Sequence, residues 1–226
     1  MTLHSLYTGK IKTITGAGTY FETGMLKEPV CEEIYCDKLG FKGDEIKDTK
    51  HHGGLEKAVF ANSLQNYVIW SKYLEKDMQK GFMGENLCID GMHESNVCIG
   101  DIHKIGTLVL QVSQPRKPCF KLSGVWDNKS FTKYIFETGL TGWYYRVLET
   151  GSCKAGDEVI IVQTDKAKMS VFELNMLFYS PKDNLNLVSK FEKVTTITSG
   201  WDIAIKQRLK GIYDSSYMSG IYQLSG

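Results

Sequence analysis

The sequence predicts a mainly β domain of short strands, arranged as a barrel or a sandwich, followed by a small helical subdomain. Twenty-two glycines against four prolines in 226 residues favour many tight turns. Between residues 81 and 106, glycines separate short apolar segments, a spacing typical of short β-strands. Beyond about residue 164 the pattern becomes helical. We therefore predict a β domain over 1–164 and a three-helix subdomain with a tail over 165–226.

The predicted strands follow one another along the first part of the chain. Residues 3–14 read as the first strand, with a glycine and a lysine near the middle forming a bend. A second strand is expected over 30–39. The β-branched, apolar segment 107–112 is the third. Segments 142–147 and 158–162 are expected to close the domain.

Two short helices are predicted within the β domain. Ser63 is a suitable N-cap for a helix that ends near Leu74. Its apolar residues recur at helical spacing, and we expect that stripe to face the core. A second helix is expected over 130–137.

The helical subdomain begins with a capping signal. Ser170 and Glu173 form the Ser-x-x-Glu pattern of a capping box, ahead of an apolar segment that ends near residue 179. Apolar residues over 185–191 predict a second helix. The third is expected over 199–211, because a glycine stands at the usual C-terminal position.

Composition excludes several classes of protein. A net charge of +1 gives no case for binding a nucleic-acid polymer or a membrane surface. No segment has the ~18 apolar residues needed to cross a bilayer, and the N-terminus lacks the layout of a secretory signal. The six cysteines include no C-x-x-C pair, so a structural zinc site is not expected. We predict a cytoplasmic protein with free thiols.

The segment 114–122 concentrates the chemistry of the chain. It holds two prolines, one cysteine and the cations Arg116, Lys117 and Lys121 directly after a predicted strand. The prolines should end the strand and stiffen the turn, and nearby positive charge favours the thiolate form of Cys119. In an extended segment Lys117, Cys119 and Lys121 would share one face. A buried, inert cysteine is the alternative.

Two histidines precede a pair of glycines. His51 and His52 are adjacent and therefore diverge, which makes them poor joint metal ligands. One histidine next to Gly53 and Gly54 is more useful, because glycine backbone approaches a bound group closely and offers its N–H groups. A plain glycine turn is the alternative.

The segment 84–87 places a carboxylate and an amide after a glycine. Asn86 both donates and accepts hydrogen bonds, which suits contact with the edge of a heterocycle, although turn chemistry also explains the segment. A hydrolase that uses Cys119 with His52 stays open, because spacing alone cannot show which residues converge.

In their joint order these motifs resemble the MOSC family, named after the C-terminal part of molybdenum-cofactor sulfurase, and in particular its stand-alone bacterial subgroup. The matching segments are Tyr7-Thr8-Gly9-Lys10, Gly43-Asp44, His52-Gly53-Gly54, Gly84-Glu85-Asn86-Leu87, Glu94-Ser95-Asn96-Val97, Gly100-Asp101, all of 114–122, and Gly142-Trp143. The resemblance runs from about residue 5 to residue 162. The helical region resembles the three-helix appendage of the same subgroup.

The resemblance implies a closed β-barrel that binds the molybdenum cofactor, molybdopterin, with Cys119 as thiolate ligand to the metal. It also implies reduction of N-hydroxylated compounds such as hydroxylaminopurines and amidoximes. A separate flavin- or iron–sulfur-containing reductase would supply electrons. Pyridoxal phosphate is not expected. The rival interpretation is a sulfur- or cofactor-carrier module in which Cys119 holds a persulfide or the cofactor without turnover.

An anionic cofactor requires cations, glycine N–H groups and amides around it. The expected cofactor-binding residues are Lys10, His52, Gly53, Gly54, Asn86, Gln114, Arg116, Cys119 and Lys121. The reaction also needs a proton for the departing oxygen. The expected catalytic residues are Cys119 with one proton carrier among His52, Asp44 and Glu85.

Overall fold

The computed structural model describes residues 1–16, 18–49 and 52–214, so His51 and the tail from 215 lie outside the described residues. The strands in this part of the chain are β1 (Thr2–Thr8), β2 (Lys12–Gly16), β3 (Thr19–Thr23), β4 (Glu28–Pro29), β5 (Ile34–Asp37), β6 (Gly40–Phe41), β7 (Val59–Ser63), β8 (Leu87–Asp90), β9 (Ile102–Ile105), β10 (Leu108–Pro115), β11 (Trp143–Glu149), β12 (Gly151–Cys153) and β13 (Val159–Gln163). The α-helices are α1 (Leu64–Leu74), α2 (Lys121–Val125), α3 (Phe131–Thr138), α4 (Val171–Tyr179), α5 (Val188–Phe191) and α6 (Ser199–Leu209). Two 3-10 helices cover Leu55–Lys57 and Pro181–Leu187.

Eight strands form the main sheet in the order β13-β9-β10-β11-β7-β8-β1-β4. All neighbouring pairs are antiparallel except β7 with β8. A three-stranded sheet, β12-β5-β6, and the hairpin of β2 and β3 complete the β structure of the described residues.

The fold is mainly β, as predicted, but closure of the main sheet into a barrel is not confirmed. Thr2 forms an isolated antiparallel bridge with Glu158, and Val159 donates its N–H to the carbonyl of Met1. No continuous ladder joins β1 to β13 in the described part of the chain. In the register of this bridge Leu3 lies opposite Asp157, so β13, which begins at Val159, runs past the N-terminal end of β1.

One apolar cluster lies beneath both the sheet and the C-terminal helices. It joins Leu110 and Trp143 of the sheet to Phe178 of α4 and Trp201 of α6, and these side chains are almost fully buried. The parts on either side of the predicted boundary near residue 164 therefore share a core.

Local signals predicted most of the elements. Ser63 is the N-cap of α1, and its hydroxyl accepts from the N–H of Gln65. The first predicted strand is interrupted, because β1 ends at Thr8 and β2 begins at Lys12. Of the predicted strand over 30–39, only β5 forms. Among the described residues no helix is long and apolar enough to cross a bilayer.

The predicted capping box of α4 is confirmed. The hydroxyl of Ser170 accepts from the N–H of Glu173, and the Glu173 carboxylate accepts from the N–H of Ser170. Both bonds satisfy donors that the first turn of a helix otherwise leaves unpaired.

We expect Ser170→Ala to lower the free energy of unfolding by about 1 kcal/mol, because one capping acceptor is lost. Ser180→Ala is the matched control: Ser180 precedes the 3-10 helix Pro181–Leu187, and its side chain makes no capping bond. Urea denaturation of both variants measures the difference. Equal effects would contradict a capping role for Ser170.

Candidate functional site

An open cleft lies where several predicted site residues converge, with about 620 Å³ of empty space that includes solvent at its mouth. Its walls come from the segment after β3, the segment before β7, the segment before β8, and the loop and strand on either side of Arg116. Its lining includes Lys27, Asp44, His52, Gly53, Lys57, Phe60, Asn86, Arg116, Lys121 and Tyr144.

The pairing of β10 with β11 positions one wall of the cleft. Val112 lies opposite Tyr145, but Gln114 lies opposite Tyr144, so the register shifts at Ser113. A bulge of this kind bends a strand and re-aims the side chains that follow it. The Ser113 hydroxyl donates to the carbonyl of Tyr144, and Arg116 donates its N–H to the carbonyl of Gly142.

Arg116 is a buried cation with unmatched donors. Its residue surface is 3% exposed, and its Nε and Nη1 atoms have no hydrogen-bond partner among the described residues. Its guanidinium lies 5.0 Å from the centroid of the Phe60 ring, close enough for a cation–π contact. A buried donor without an acceptor costs about 1–3 kcal/mol, and more when the group is charged. The arrangement is suited to an incoming anion.

Two lysines add positive charge to the cleft. Burial lowers the pKa of Lys57, while the charge of Asp48 raises it. The ammonium of Lys121 donates to the carbonyl of Glu22 at 3.1 Å and lies 5.9 Å from the Phe21 ring. With Arg116, these side chains give the cleft a cationic lining.

The two glycines that follow His52 differ in their relation to the cleft. Gly53 lines it with φ of +78°, and a Cβ there would lie 2.7 Å from Cδ1 of Ile46. Gly54, with φ of +79°, is not part of the lining and instead precedes the 3-10 helix Leu55–Lys57. Only Gly53 therefore fits the prediction of close backbone approach to a ligand.

His52 and Tyr144 face each other in the cleft. His52 Nδ1 is 3.3 Å from the Tyr144 hydroxyl. Burial lowers the pKa of His52 to about 4, and the charges of Arg116 and Lys57 act in the same direction. Burial raises the pKa of Tyr144 to about 12, opposed by the charge of Arg116. At neutral pH the pair is therefore an uncharged imidazole and a protonated phenol.

Asp44 and Asn86 line the cleft but spend their polar atoms on the protein. Asp44 pairs with the buried ammonium of Lys27 and accepts from the N–H of Gly9 at 2.7 Å and from the Asn86 amide at 2.8 Å. The Asn86 carbonyl oxygen accepts from the N–H of Phe60 at 3.1 Å. Burial lowers the pKa of Lys27, against the opposing charge of Asp44. This network joins five segments of the chain, four of which contribute residues to the cleft lining.

Cys119 lies on the loop between two cleft residues, Arg116 and Lys121, but is not itself part of the cleft lining. It is half-buried, and its carbonyl accepts from the N–H of Leu122 and from the Thr132 hydroxyl at 3.1 Å. A negative charge at Cys119 would act to raise the pKa of Tyr144.

The back of the same loop is held by the C-terminal helices. Gln114 accepts a hydrogen bond from the Thr198 hydroxyl at 2.8 Å, away from the cleft. The Lys117 ammonium lies 5.0 Å from the Phe178 ring and 5.2 Å from the Trp201 ring. The expectation that Lys117 and Lys121 share a face was wrong, because the loop is not an extended strand and Lys121 begins α2.

Two other predicted residues lie outside the cleft lining. Lys10 is exposed and pairs with Glu45 at 2.9 Å. Glu85 is fully buried, bonds the Tyr67 hydroxyl, and accepts from the N–H of Gly81 at 2.8 Å. Burial raises its pKa. Sequence reasoning missed Tyr144 and Lys27, which carried no local signal beyond a strand and a turn.

Among the described residues, no cluster of three or more His, Cys, Asp or Glu side chains is placed to hold a metal ion. A metal site built from protein ligands alone therefore finds no support there. A metal that arrives with its own ligands requires fewer protein groups.

Comparisons with known proteins identify relatives of this chain. The sequence profile of the MOSC domain matches residues 48–160. The chain is 34% identical over 197 residues to the uncharacterized protein YflK of Bacillus subtilis, which covers 87% of this chain and 89% of that protein. It is 35% identical over 181 residues to a protein of Gibberella moniliformis named Reductase, covering 78% of this chain but only 32% of the fungal protein. The crystal structure of YiiM from Geobacillus stearothermophilus matches with a TM-score of 0.76 and 29% identity, covering 92% of this chain and 98% of that one.

The shifted pKa of His52 predicts a pH dependence of stability. The folded-state pKa of about 4 lies below the ordinary value of 6.5, so the unfolded state binds more protons between these values. Stability should therefore fall as the pH decreases through this window. From pH 7 to pH 5 this group should contribute a loss of about 2 kcal/mol. We expect His52→Gln to reduce the measured loss by about that amount.

Chemical denaturation of wild type and His52→Gln at both pH values tests this, with circular dichroism to verify the native fold. His103, whose pKa burial also lowers to about 4, remains in both proteins and cancels in the difference. Identical pH dependence in the two proteins would contradict a neutral, buried His52.

Proposed function

The chain belongs to the MOSC domain family, and we propose that it is an oxidoreductase that binds the molybdenum cofactor and reduces N-hydroxylated compounds. The fungal relative named Reductase supports a redox role. The sequence contains no cysteine run typical of an iron–sulfur protein and no dinucleotide fingerprint. Electrons would therefore come from a separate flavin- or iron–sulfur-containing reductase.

The buried guanidinium of Arg116 is the observation that carries the proposal. Its Nε and Nη1 atoms lack acceptors among the described residues, yet the residue lines an open cleft. An anionic cofactor that carries phosphate would supply those acceptors, because guanidinium and phosphate match in charge and geometry. Lys57, Lys121 and the backbone of Gly53 line the same space and fit the same anion.

Cys119 is the proposed ligand to molybdenum, which supplies two-electron redox chemistry at the N–O bond when bound. The loop position of Cys119, between two cleft cations, supports this role. Lys10, Gly54 and Gln114 lie outside the cleft lining, so we assign them to the support of its walls.

The overall reaction consumes two electrons and two protons for each N–O bond. An amidoxime yields an amidine and one water, and a hydroxylaminopurine yields an aminopurine and one water. Of the three proton carriers expected from the sequence, Asp44 is engaged in an ion pair and two further hydrogen bonds, and Glu85 lies outside the lining. His52 is the one we retain.

Molybdenum analysis and turnover test this function. Produced in a host that makes the cofactor, the wild type should contain about one molybdenum per chain and reduce an amidoxime with an artificial electron donor. The molybdenum content of Cys119→Ser should be about tenfold lower than that of wild type, or lower still. Even the groups that support metal ligands change metal affinity by about 10–100-fold.

The matched control is Cys31→Ser, because Cys31 is exposed and lies in a different segment. That variant should keep both molybdenum and activity. Bound molybdenum without turnover in the wild type would favour the carrier function instead. Equal molybdenum content in Cys119→Ser and wild type would remove Cys119 from the site.

A further inference from the structure

We infer that Tyr144 donates the proton to the departing oxygen of the substrate and that His52 restores that proton. This inference rests on the proposed function and assigns a catalytic role to Tyr144, which the sequence motifs do not mark. It starts from the direct contact of 3.3 Å between His52 Nδ1 and the Tyr144 hydroxyl within the cleft.

The backbone around Tyr144 fixes this contact. Tyr144 pairs with Phe60 of β7 and with Gln114 of β10, so both neighbouring strands hold it. Its ring lies 5.0 Å from the Phe60 ring, and its carbonyl accepts from the Ser113 hydroxyl at 3.1 Å. His52 is anchored separately, because its N–H donates to the carbonyl of Asp48 at 2.9 Å. The two side chains therefore come from separately anchored segments and meet in the cleft.

The surroundings suit proton donation by a neutral group. Arg116, Lys57 and Lys121 line the cleft, and a further cation among them would be unfavourable. Asp48 is the acidic residue whose charge acts on His52 in the opposite direction. A phenol can donate a proton while it is neutral. An imidazole must first be protonated to the cationic imidazolium.

The proton path can be written so that atoms and charges balance. As the N–O bond breaks, the departing hydroxide takes the Tyr144 hydroxyl proton and leaves as water, while one proton from solvent forms the new N–H bond of the product. His52, with its proton on Nδ1, passes that proton to the phenolate as its Nε2 takes up a second proton from solvent. Proton exchange with solvent then returns the imidazole from the Nε2-protonated to the Nδ1-protonated tautomer, so both side chains regain their starting forms. The two electrons come from the separate reductase of the proposed function.

The same strand carries a matched reference pair. Tyr145 follows Tyr144, and adjacent side chains of a strand point to opposite faces. Tyr145 lies in the core, where its hydroxyl is 2.8 Å from Nδ1 of His103. Both pairs are a tyrosine hydroxyl and a histidine Nδ1, but only the pair of Tyr144 opens on the cleft.

The kinetic test compares two leaving groups. Benzamidoxime loses an oxygen that must be protonated, whereas O-acetylbenzamidoxime loses acetate, which needs no proton. We expect Tyr144→Phe to reduce turnover of benzamidoxime by about 10²-fold or more, the usual worth of a general acid. Turnover of the O-acetyl compound should fall by less than about tenfold, because only the proton is missing. Molybdenum content should equal that of wild type.

Tyr145→Phe is the control, since it removes the same oxygen from a buried pair. The Tyr145→Phe substitution should change the turnover of both compounds by the same factor. If Tyr144→Phe lowers both substrates equally or neither, the role of Tyr144 as proton donor is overturned while the proposed function stands. If the wild-type protein contains no molybdenum and reduces neither compound, the proposed function fails and this inference fails with it.

A second readout needs no cofactor. Nitrogen-15 NMR of the cofactor-free protein reports the hydrogen bond and tautomer of each imidazole, with the His52 signal assigned from His52→Gln. Tyr144→Phe should shift the His52 signal and leave that of His103 unchanged, and Tyr145→Phe should do the reverse. An unmoved His52 signal in Tyr144→Phe would overturn the pairing on which the inference depends.

Discussion

The bulged pairing of β10 with β11 is the constraint on which the cleft depends. By shifting the register at Ser113, it sends Gln114 towards the C-terminal helices and leaves Arg116 and Tyr144 on the cleft. The bond from the Arg116 N–H to the Gly142 carbonyl continues the pairing beyond the last strand residue. A Cβ at Gly142 would lie 2.4 Å from the carbonyl oxygen of Ala61, so the adjoining strand leaves no room there. Backbone geometry therefore decides which side chains reach the cleft.

Charge is distributed unevenly around that backbone. Lys27 and Asp44 neutralise each other at the base of the cleft, and Asn86 completes their hydrogen bonds. The Nε and Nη1 atoms of Arg116 have no hydrogen-bond partner among the described residues, although Arg116 is as deeply buried. A buried charge without a partner is among the most unfavourable arrangements in a protein. Such an arrangement is tolerated where a ligand supplies the missing acceptors. The guanidinium of Arg116 is therefore a more specific sign of an anion site than the exposed lysines are.

Sequence patterns predicted those features that depend on neighbours along the chain. The caps at Ser63 and Ser170 were correct because a capping bond spans two or three residues. Closure of the barrel was not confirmed, since β13 runs past the N-terminal end of β1, and no local pattern sets the register of two strands so far apart in the chain. Tyr144 was missed for the same reason: its partner is 92 residues away. Asn86 was expected to contact a ligand, but its amide is used within the protein, and only the fold reveals such competition.

The loop that carries Cys119 has a front and a back. Its front faces the cleft through Arg116 and Lys121, while its back rests on the aromatic rings of Phe178 and Trp201 through Lys117. Burial, with the charge of Arg208 acting in the same direction, lowers the pKa of Lys117 to about 8. Packing against the C-terminal helices thus helps to fix the position of the loop. Homologous chains that keep the cleft residues but differ in these helices should therefore differ in the position of the loop. Substitutions in the helices would alter the site from outside the cleft lining.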